Sequence, residues 1–251
     1  MPDLLKQLDD RVLVLTLNRP DKRNALSSAL IVELHRTIQA ALSDASVGAI
    51  VLTGAPPAFS AGLDLNEVAA SRSDPGAAQA RADALFDLLN GIHLATKPTV
   101  AAVNGSCVAG GAGLMSACDL VIAARSAKIG YPEIKRGLVA AIVMSFLLRQ
   151  VGERHAKYLL LTGDVLDGQA AKEVGLVNEV VDDDRVVARA VELARQVAAY
   201  PPKAYADSKH MMRAIAGLDP SEGMDKARHM HTQMQLTGQA DAAISSFLKK
   251  S

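Results

Sequence analysis

Between Lys97 and Asp119 the chain runs KPTVAAVNGSCVAGGAGLMSACD without a single internal charge. Pro98 opens the stretch and a β-type run follows, Thr99 to Val103. The chain then turns at Asn104-Gly105 and gathers small residues at Ala109-Gly110-Gly111-Ala112-Gly113. An apolar, helix-like run closes it, Leu114 to Cys118. Strand, glycine loop and buried helix start bring bare backbone N–H groups up to a ligand. The free N–H groups of a first helical turn attract negative charge, and glycine lets a ligand come close. Three plainer readings compete. A bilayer span needs about 20 apolar residues, and Pro98, Asn104 and the glycines are poor material for one. A dinucleotide-binding turn nearly fits Gly111-x-Gly113-x-x-Ser116 with Glu133 downstream, but Gly105 to Ala109 separate the strand from those glycines. A tightly packed helix with no ligand is the third.

The balance of charge limits the partners. Lys+Arg and Asp+Glu both number 27, so no general field draws in nucleic acid or an anionic membrane. Any anionic ligand is held by local groups. Aromatic residues make up only 3% and Trp is absent, which speaks against base-stacking platforms. The N-terminal MPDLLKQLDDR is acidic and lacks the basic and apolar regions of a signal peptide, so a cytoplasmic location is expected. Cys107 and Cys118 lie among small residues and read as buried hydrophobes. No metal is expected, because neither cysteine has further ligands nearby. The length of 251 residues suits one domain with a small appendage.

Along the chain, a βα rhythm emerges. Arg11–Asn18 reads as a strand. Ser27 or Ser28 caps a helix with apolar Leu30, Ile31, Leu34, Ile38 and Leu42. Gly48–Gly54 is wholly apolar, as in a strand buried on both faces. The loop APPAFSAGLDL follows it, a helix starts at Asn66, and Ser71–Ala77 looks exposed. Leu85, Leu88, Leu89 and Ile92 mark the next helix. After the opening stretch come short strands at Leu120–Ala123 and Ala127–Gly130, then a buried helix over Val139–Val151 and another over Glu153–Leu161. A helix over Asp167–Glu173, a strand over Leu176–Val181 and a helix over Arg185–Ala199 complete an α/β body, residues 1–199. Beyond Pro201-Pro202, helices over Lys203–Ile215, Ser221–Leu236 and Ala240–Lys249 form a C-terminal helical region, residues 200–251.

Two loops share one design. Ala58-Phe59-Ser60-Ala61-Gly62-Leu63-Asp64 and Val108-Ala109-Gly110-Gly111 each follow a strand and place small residues where backbone must approach something. Two N–H groups from separate loops, aimed at one oxygen, make an oxyanion hole.

At this point the chain resembles the crotonase superfamily, the enoyl-CoA hydratase/isomerase family. The matching pieces are Asn18-Arg19-Pro20, Asn24-Ala25-Leu26, Ala58-Phe59-Ser60-Ala61-Gly62-x-Asp64, Lys97-Pro98, Ala101-Ala102-Val103-Asn104-Gly105, and Gly110-Gly111. They continue in family order through Cys118-Asp119, Tyr131-Pro132-Glu133, Gly137, Val151-Gly152, Leu161-Thr162-Gly163 and Gly175-Leu176-Val177. The resemblance implies an α/β spiral of ββα units with a C-terminal helical region that builds trimers, often paired into hexamers. It implies an acyl-CoA thioester as substrate, with CoA as part of the substrate and no other cofactor. It also implies that the thioester oxygen sits between the backbone N–H groups of Leu63 and Gly110. The CoA end would be held near Arg23, Ala25, Ala61 and Asp64, with Lys209 near its phosphates. Gly62, Gly111, Pro132 and Gly137 fall at substrate-facing motif positions, and Tyr131 is a candidate for the acyl pocket.

One departure bears on the reaction. Members that hydrate a double bond use two glutamates, and the first lies three residues beyond the oxyanion glycine. Here that position is Gly113; the second is Glu133. With one carboxylate the simplest chemistry is proton shuttling, so double-bond isomerisation with Glu133 as acid/base is favoured. A base beside an apolar acyl pocket should have a raised pKa. Hydration by Glu133 alone or with another acid is the alternative, and a Gly113→Glu exchange is its natural test. A CoA-ester-binding protein without catalysis is the reading from another class.

Overall fold

Wholly apolar segments set the centre of the molecule. The computed structural model describes residues 1–236 together with Asp241, Ser245 and Leu248. It opens with a hairpin, β1 (Leu4–Asp9) and β2 (Val12–Leu17), turned at Asp10. Next come α1 (Ser28–Ser43), β3 (Ala49–Gly54), β4 (Ala58–Ser60), α2 (Leu65–Ala70) and α3 (Pro75–His93). Then follow β5 (Thr99–Val103), β6 (Ser106–Val108), α4 (Gly110–Ala117), β7 (Leu120–Ala124) and β8 (Lys128–Gly130). A 3₁₀ turn over Pro132–Arg136 leads to α5 (Ala141–Thr162), β9 (Val165–Asp167), α6 (Gly168–Glu173), β10 (Glu179–Val181) and α7 (Val186–Ala198).

The strands sort into two sheets. The larger has the order β1-β2-β3-β5-β7-β10 and is parallel from β2 onward. The smaller has the order β4-β6-β8-β9. Each of the pairs β3/β4, β5/β6 and β7/β8 gives one strand to each sheet and is followed by helix. That repeat of ββα winds the chain into a spiral. Every residue of β3 and β5 is buried, as a parallel sheet covered on both faces requires. On one side α7 packs against β2, β3, β5 and β7. Its buried Val186, Ala190, Val191 and Ala194 form a single stripe.

Local chemistry accounts for the element ends. Ser27 caps α1, its Oγ accepting from Leu30 N at 3.2 Å. Asp74 caps α3 through Ala77 N at 3.0 Å. That helix therefore starts inside the Ser71–Ala77 segment, which is exposed from Arg72 onward while Ser71 is buried. Asp119 joins neighbouring strands by accepting from Thr99 N and Thr99 Oγ1. The two helices expected over Val139–Val151 and Glu153–Leu161 run on as α5, with a break at Gly152 (φ 70°, ψ 167°). The first is not buried throughout: Val143, Leu147 and Val151, four residues apart, face inward, Ala140 just before the helix is buried, and the rest is half-buried or exposed. Leu176 and Val177 are buried, but the strand expected from Leu176 begins at Glu179.

The chain divides into two compact units, Met1–Pro202 and Lys203–Ser251. The second holds α8 (Pro202–Ile215) from Lys203 onward and α9 (Pro220–Leu236). The helix expected over Ala240–Lys249 lies outside the described residues apart from Asp241, Ser245 and Leu248. Among the described residues no helix is long and apolar enough to cross a membrane.

Candidate active site

Two backbone amides from separate turns meet at the N-terminus of α4. The first belongs to Leu63. Gly62 takes φ +86°, a left-handed conformation open to glycine. Leu26 then clamps the residues on either side, donating to Gly62 O at 2.8 Å and accepting from Asp64 N at 3.0 Å. The Leu63 N–H between them has no protein acceptor among the described residues. The second amide belongs to Gly110, the first residue of α4. Ala109 precedes it at φ 53°, ψ −126°, held by its N–H donating to Gly130 O at 3.0 Å. No side chain caps this helix, and the Gly110 N–H also lacks a protein acceptor among the described residues.

The glycines set how close the two turns lie. A Cβ on Gly62 would stand 2.8 Å from Gly110 N, too near to exist without a shift. A Cβ on Gly110 would stand 3.5 Å from Leu63 N. A Cβ on Gly111 would collide with Ser60 O, so α4 lies directly on β4. Two unspent donors this near each other, one of them at a helix N-terminus, suit a single anionic oxygen.

A polar scaffold holds the first turn. Asn24 is buried at φ 54°. Its Nδ2 donates to Ala55 O at 2.8 Å and Ala58 O at 2.6 Å, while its Oδ1 accepts from Arg19 N at 2.9 Å. Ser60 Oγ donates to Asn24 O at 2.8 Å and accepts from Gly62 N at 3.2 Å. Ala61 N donates to Arg23 O at 3.0 Å. Arg23 is exposed at φ 50°, whereas Ala25 is buried and its carbonyl accepts from Arg19 Nη1 at 2.6 Å. Asn24 and Ser60 are supporting residues that the sequence placed in a motif without showing their work. Their oxygens and nitrogens satisfy carbonyls more than 30 residues away, which local pattern does not reveal.

Asp64 anchors this scaffold. Its Oδ1 caps α2 by accepting from Asn66 N at 3.1 Å, and its Oδ2 pairs with Arg19 Nη2 at 3.0 Å. Burial opposes its charge, but the Arg19 guanidinium and the Asn66 amide outweigh it and hold the carboxyl below its ordinary value. Both carboxylate oxygens are engaged within the scaffold.

Glu133 sits in the 3₁₀ turn after β8. Pro132 opens that turn, and Gly137 closes it at φ 70° with its N–H on Ile134 O at 3.1 Å. Leu138 N donates to Glu133 O at 3.1 Å. The side chain is half-buried and its Oε2 is buried with no hydrogen-bond partner. Burial pushes its carboxyl up, against a smaller downward pull from its own backbone amide and the Arg136 charge. An unpartnered carboxylate oxygen is costly for stability, and such costs gather at functional sites.

Tyr131 does not line an acyl pocket. It is fully buried, and its hydroxyl pairs with Ser116 Oγ at 2.8 Å. Burial raises its pKa, so the ring stays a neutral core residue. Ser116 lies on α4, and its carbonyl accepts from Gln150 Nε2 at 2.8 Å. The helix that starts at Gly110 and the segment that carries Glu133 are therefore joined twice, by Tyr131–Ser116 and by Ala109–Gly130.

Gly113 is buried one helical turn beyond Gly110. A Cβ there would collide with Val143 Cγ1 and stand 3.6 Å from Leu89 Cδ1. Lys209 belongs to the second unit, where it is buried with Nζ 5.8 Å from the ring centre of Tyr205. Among the described residues no three His, Cys, Asp or Glu side chains converge as a metal set. Cys107 and Cys118 are both buried.

Known proteins are similar to this chain over most or all of its length. The family model described as enoyl-CoA hydratase/isomerase matches residues 7–251. The 2,3-dehydroadipyl-CoA hydratase of Escherichia coli is 35% identical over 251 residues, covering 100% of this chain and 97% of that protein. The hydroxycinnamoyl-CoA hydratase-lyase of Pseudomonas fluorescens is 36% identical, covering 81% of this chain and 75% of that one. Among solved structures, an enoyl-CoA hydratase of Mycobacterium smegmatis superposes with a TM-score of 0.90 at 31% identity, covering 100% of this chain and 97% of that one.

Proposed function

The chain belongs to the enoyl-CoA hydratase/isomerase family, and from that premise we propose that it moves a double bond in an enoyl-CoA thioester, with Glu133 as the proton carrier. The thioester oxygen accepts from the N–H groups of Leu63 and Gly110. That contact drains charge from the carbonyl and acidifies C2. Glu133, as carboxylate, takes the C2 proton of a 3-enoyl-CoA. The C–H electron pair moves into the thioester and forms an enolate conjugated with the C3–C4 double bond. The same carboxyl returns the proton to C4, and the electrons settle between C2 and C3. One proton leaves and one returns, so no water and no second acid is consumed.

The unpartnered, buried Oε2 of Glu133 carries this reading. A carboxyl raised by burial is suited to take and return a proton near neutral pH. CoA enters as part of the substrate and no further cofactor takes part. The segments around Arg23, Ala25, Ala61 and Asp64 are the proposed contacts for its nucleotide end, in a homotrimer or a pair of trimers.

Hydration is the second reading, favoured by the reactions that the relatives' names state. In it, hydroxide from water adds at C3 and a proton at C2 of a 2-enoyl-CoA, with Glu133 handling the water. A panel of 2-enoyl-, 3-enoyl- and 3-hydroxyacyl-CoA thioesters, followed by mass and by enone absorbance, separates the two. Isomerisation is expected to exceed hydration. Rapid hydration of crotonyl-CoA without conversion of 3-enoyl-CoA would overturn the isomerase reading. No turnover of any ester would leave a CoA-ester-binding protein.

A further inference from the structure

We propose that Val143 is a specificity-determining residue, which keeps a second acid out of the site by occupying the space of a side chain at position 113. The proposal rests on the single-carboxylate reading above. Position 113 follows Gly110 by one turn, so both lie on the same face of α4. Any side chain at 113 would begin beside the amide that receives the thioester oxygen. Glycine there leaves room, and Val143, in the first turn of α5, fills it. A Cβ at 113 would collide with its Cγ1 and stand 3.3 Å from its Cβ.

The exclusion is chemical as well as steric. Val143 is 3% exposed and Leu89 1% exposed. A carboxylate between them would be buried against apolar carbon, and burial without a partner drives such a group to stay protonated. A Gly113→Glu exchange alone therefore does not restore two-carboxylate chemistry. The isopropyl group also gives this end of the site an apolar wall.

A double-mutant cycle with an activity arm tests this. The first arm measures thermal unfolding of Gly113→Ala, Val143→Ala and the double variant. Gly113→Ala is expected to lower Tm in the parent and to cost little or nothing when Val143 is already Ala. An equal loss of Tm in both backgrounds would overturn the contact on which the proposal stands. The second arm measures hydration of crotonyl-CoA by Gly113→Glu and by Gly113→Glu/Val143→Gly. The double variant is expected to exceed the single by at least about a hundredfold, the usual scale of a placed acid/base. Equal hydration by both, or a folded double variant with no gain, would overturn the proposal. Failure of the parent on every 3-enoyl-CoA would instead remove the isomerase reading, while the melting cycle would still report on Val143.

Discussion

The neighbouring glycines at the start of α4 make opposite demands, and replacing each by alanine separates catalysis from folding. At Gly110 a Cβ would meet Gly62 Cα at 3.5 Å, Leu63 N at 3.5 Å and Gly62 C at 3.8 Å, all ordinary contacts. The backbone there is helical, so alanine fits, and it gains about 0.4–1 kcal/mol by restricting the unfolded chain. Tm should hold steady or rise by about 1–4 °C for a chain of this size. The same methyl leans toward the helix N-terminus, the side on which the Gly110 N–H emerges. It would stand 3.5 Å from Leu63 N, where a thioester oxygen must come within about 2.7–3.1 Å. Loss of one such donor costs about 2.7–4 kcal/mol, or 10²–10³ in kcat. At Gly111 a Cβ would collide with Ser60 O and stand 2.8 Å from Ser60 Cβ. The carbonyl belongs to β4 and cannot yield, so overpacking of about 1–3 kcal/mol is expected. Steady-state turnover of the active ester and thermal unfolding, measured on both variants, read the difference. Gly110→Ala should be stable and nearly inactive, and Gly111→Ala should be destabilised. Full kcat in Gly110→Ala, or activity lost only in step with Tm, would refute the assignment of the hole.

Two further perturbations address the scaffold and the acid. Arg19→Ala strands the buried Asp64 carboxylate, and urea unfolding should show a loss of about 1–3 kcal/mol, partly recovered by adding Asp64→Asn. Because the folded pKa of Asp64 lies below the unfolded value of about 3.9, its stabilisation is present above that pH and fades as pH falls through the folded value; the pH dependence of Tm in Asp64→Asn should lack this fall. Glu133 has the opposite sign. Its folded pKa is above the ordinary value of about 4.3, so ionising it costs stability as pH rises through the folded value. Glu133→Gln should therefore melt higher than the parent at neutral pH, and the parent's kcat/KM should climb over the same interval as the base form appears.

Periodic and capping signals were legible, and distant contacts were not. Ser27 and the Leu30, Ile31, Leu34, Ile38 stripe stand in the structure as their spacing predicts. So do β3 and β5, whose unbroken apolar runs have only one environment that suits them. The strands β4 and β6 span three residues each, too few to show an alternation among the prolines and glycines around them, and β9 takes in Asp167, which the sequence pattern gives to the following helix. β1 carries no alternation to mark it, because Leu5 and Leu8 face solvent together with Lys6 and Gln7 and only Leu4 is buried. The motif around Asn24 was visible, but its bonds to Ala55 and Ala58 cross the fold. Tyr131 looked like a pocket residue from its place beside Pro132, and only its partner Ser116 shows that it belongs to the core. Gly113 was recognisable as a missing side chain. That Val143 occupies the vacated space depends on how α5 lies over α4.

The central claim is that Glu133 removes the C2 proton of a thioester held by Leu63 and Gly110. The most direct measurement follows a 3-enoyl-CoA in D₂O, reading deuterium uptake at C4 of the product and at C2 of recovered substrate by mass and the conjugated product by absorbance, with parent and Glu133→Gln side by side. The parent is expected to form conjugated product, while Glu133→Gln binds the ester with unchanged affinity and gives neither product nor exchange. C2 proton loss at the parent rate in Glu133→Gln would contradict the account.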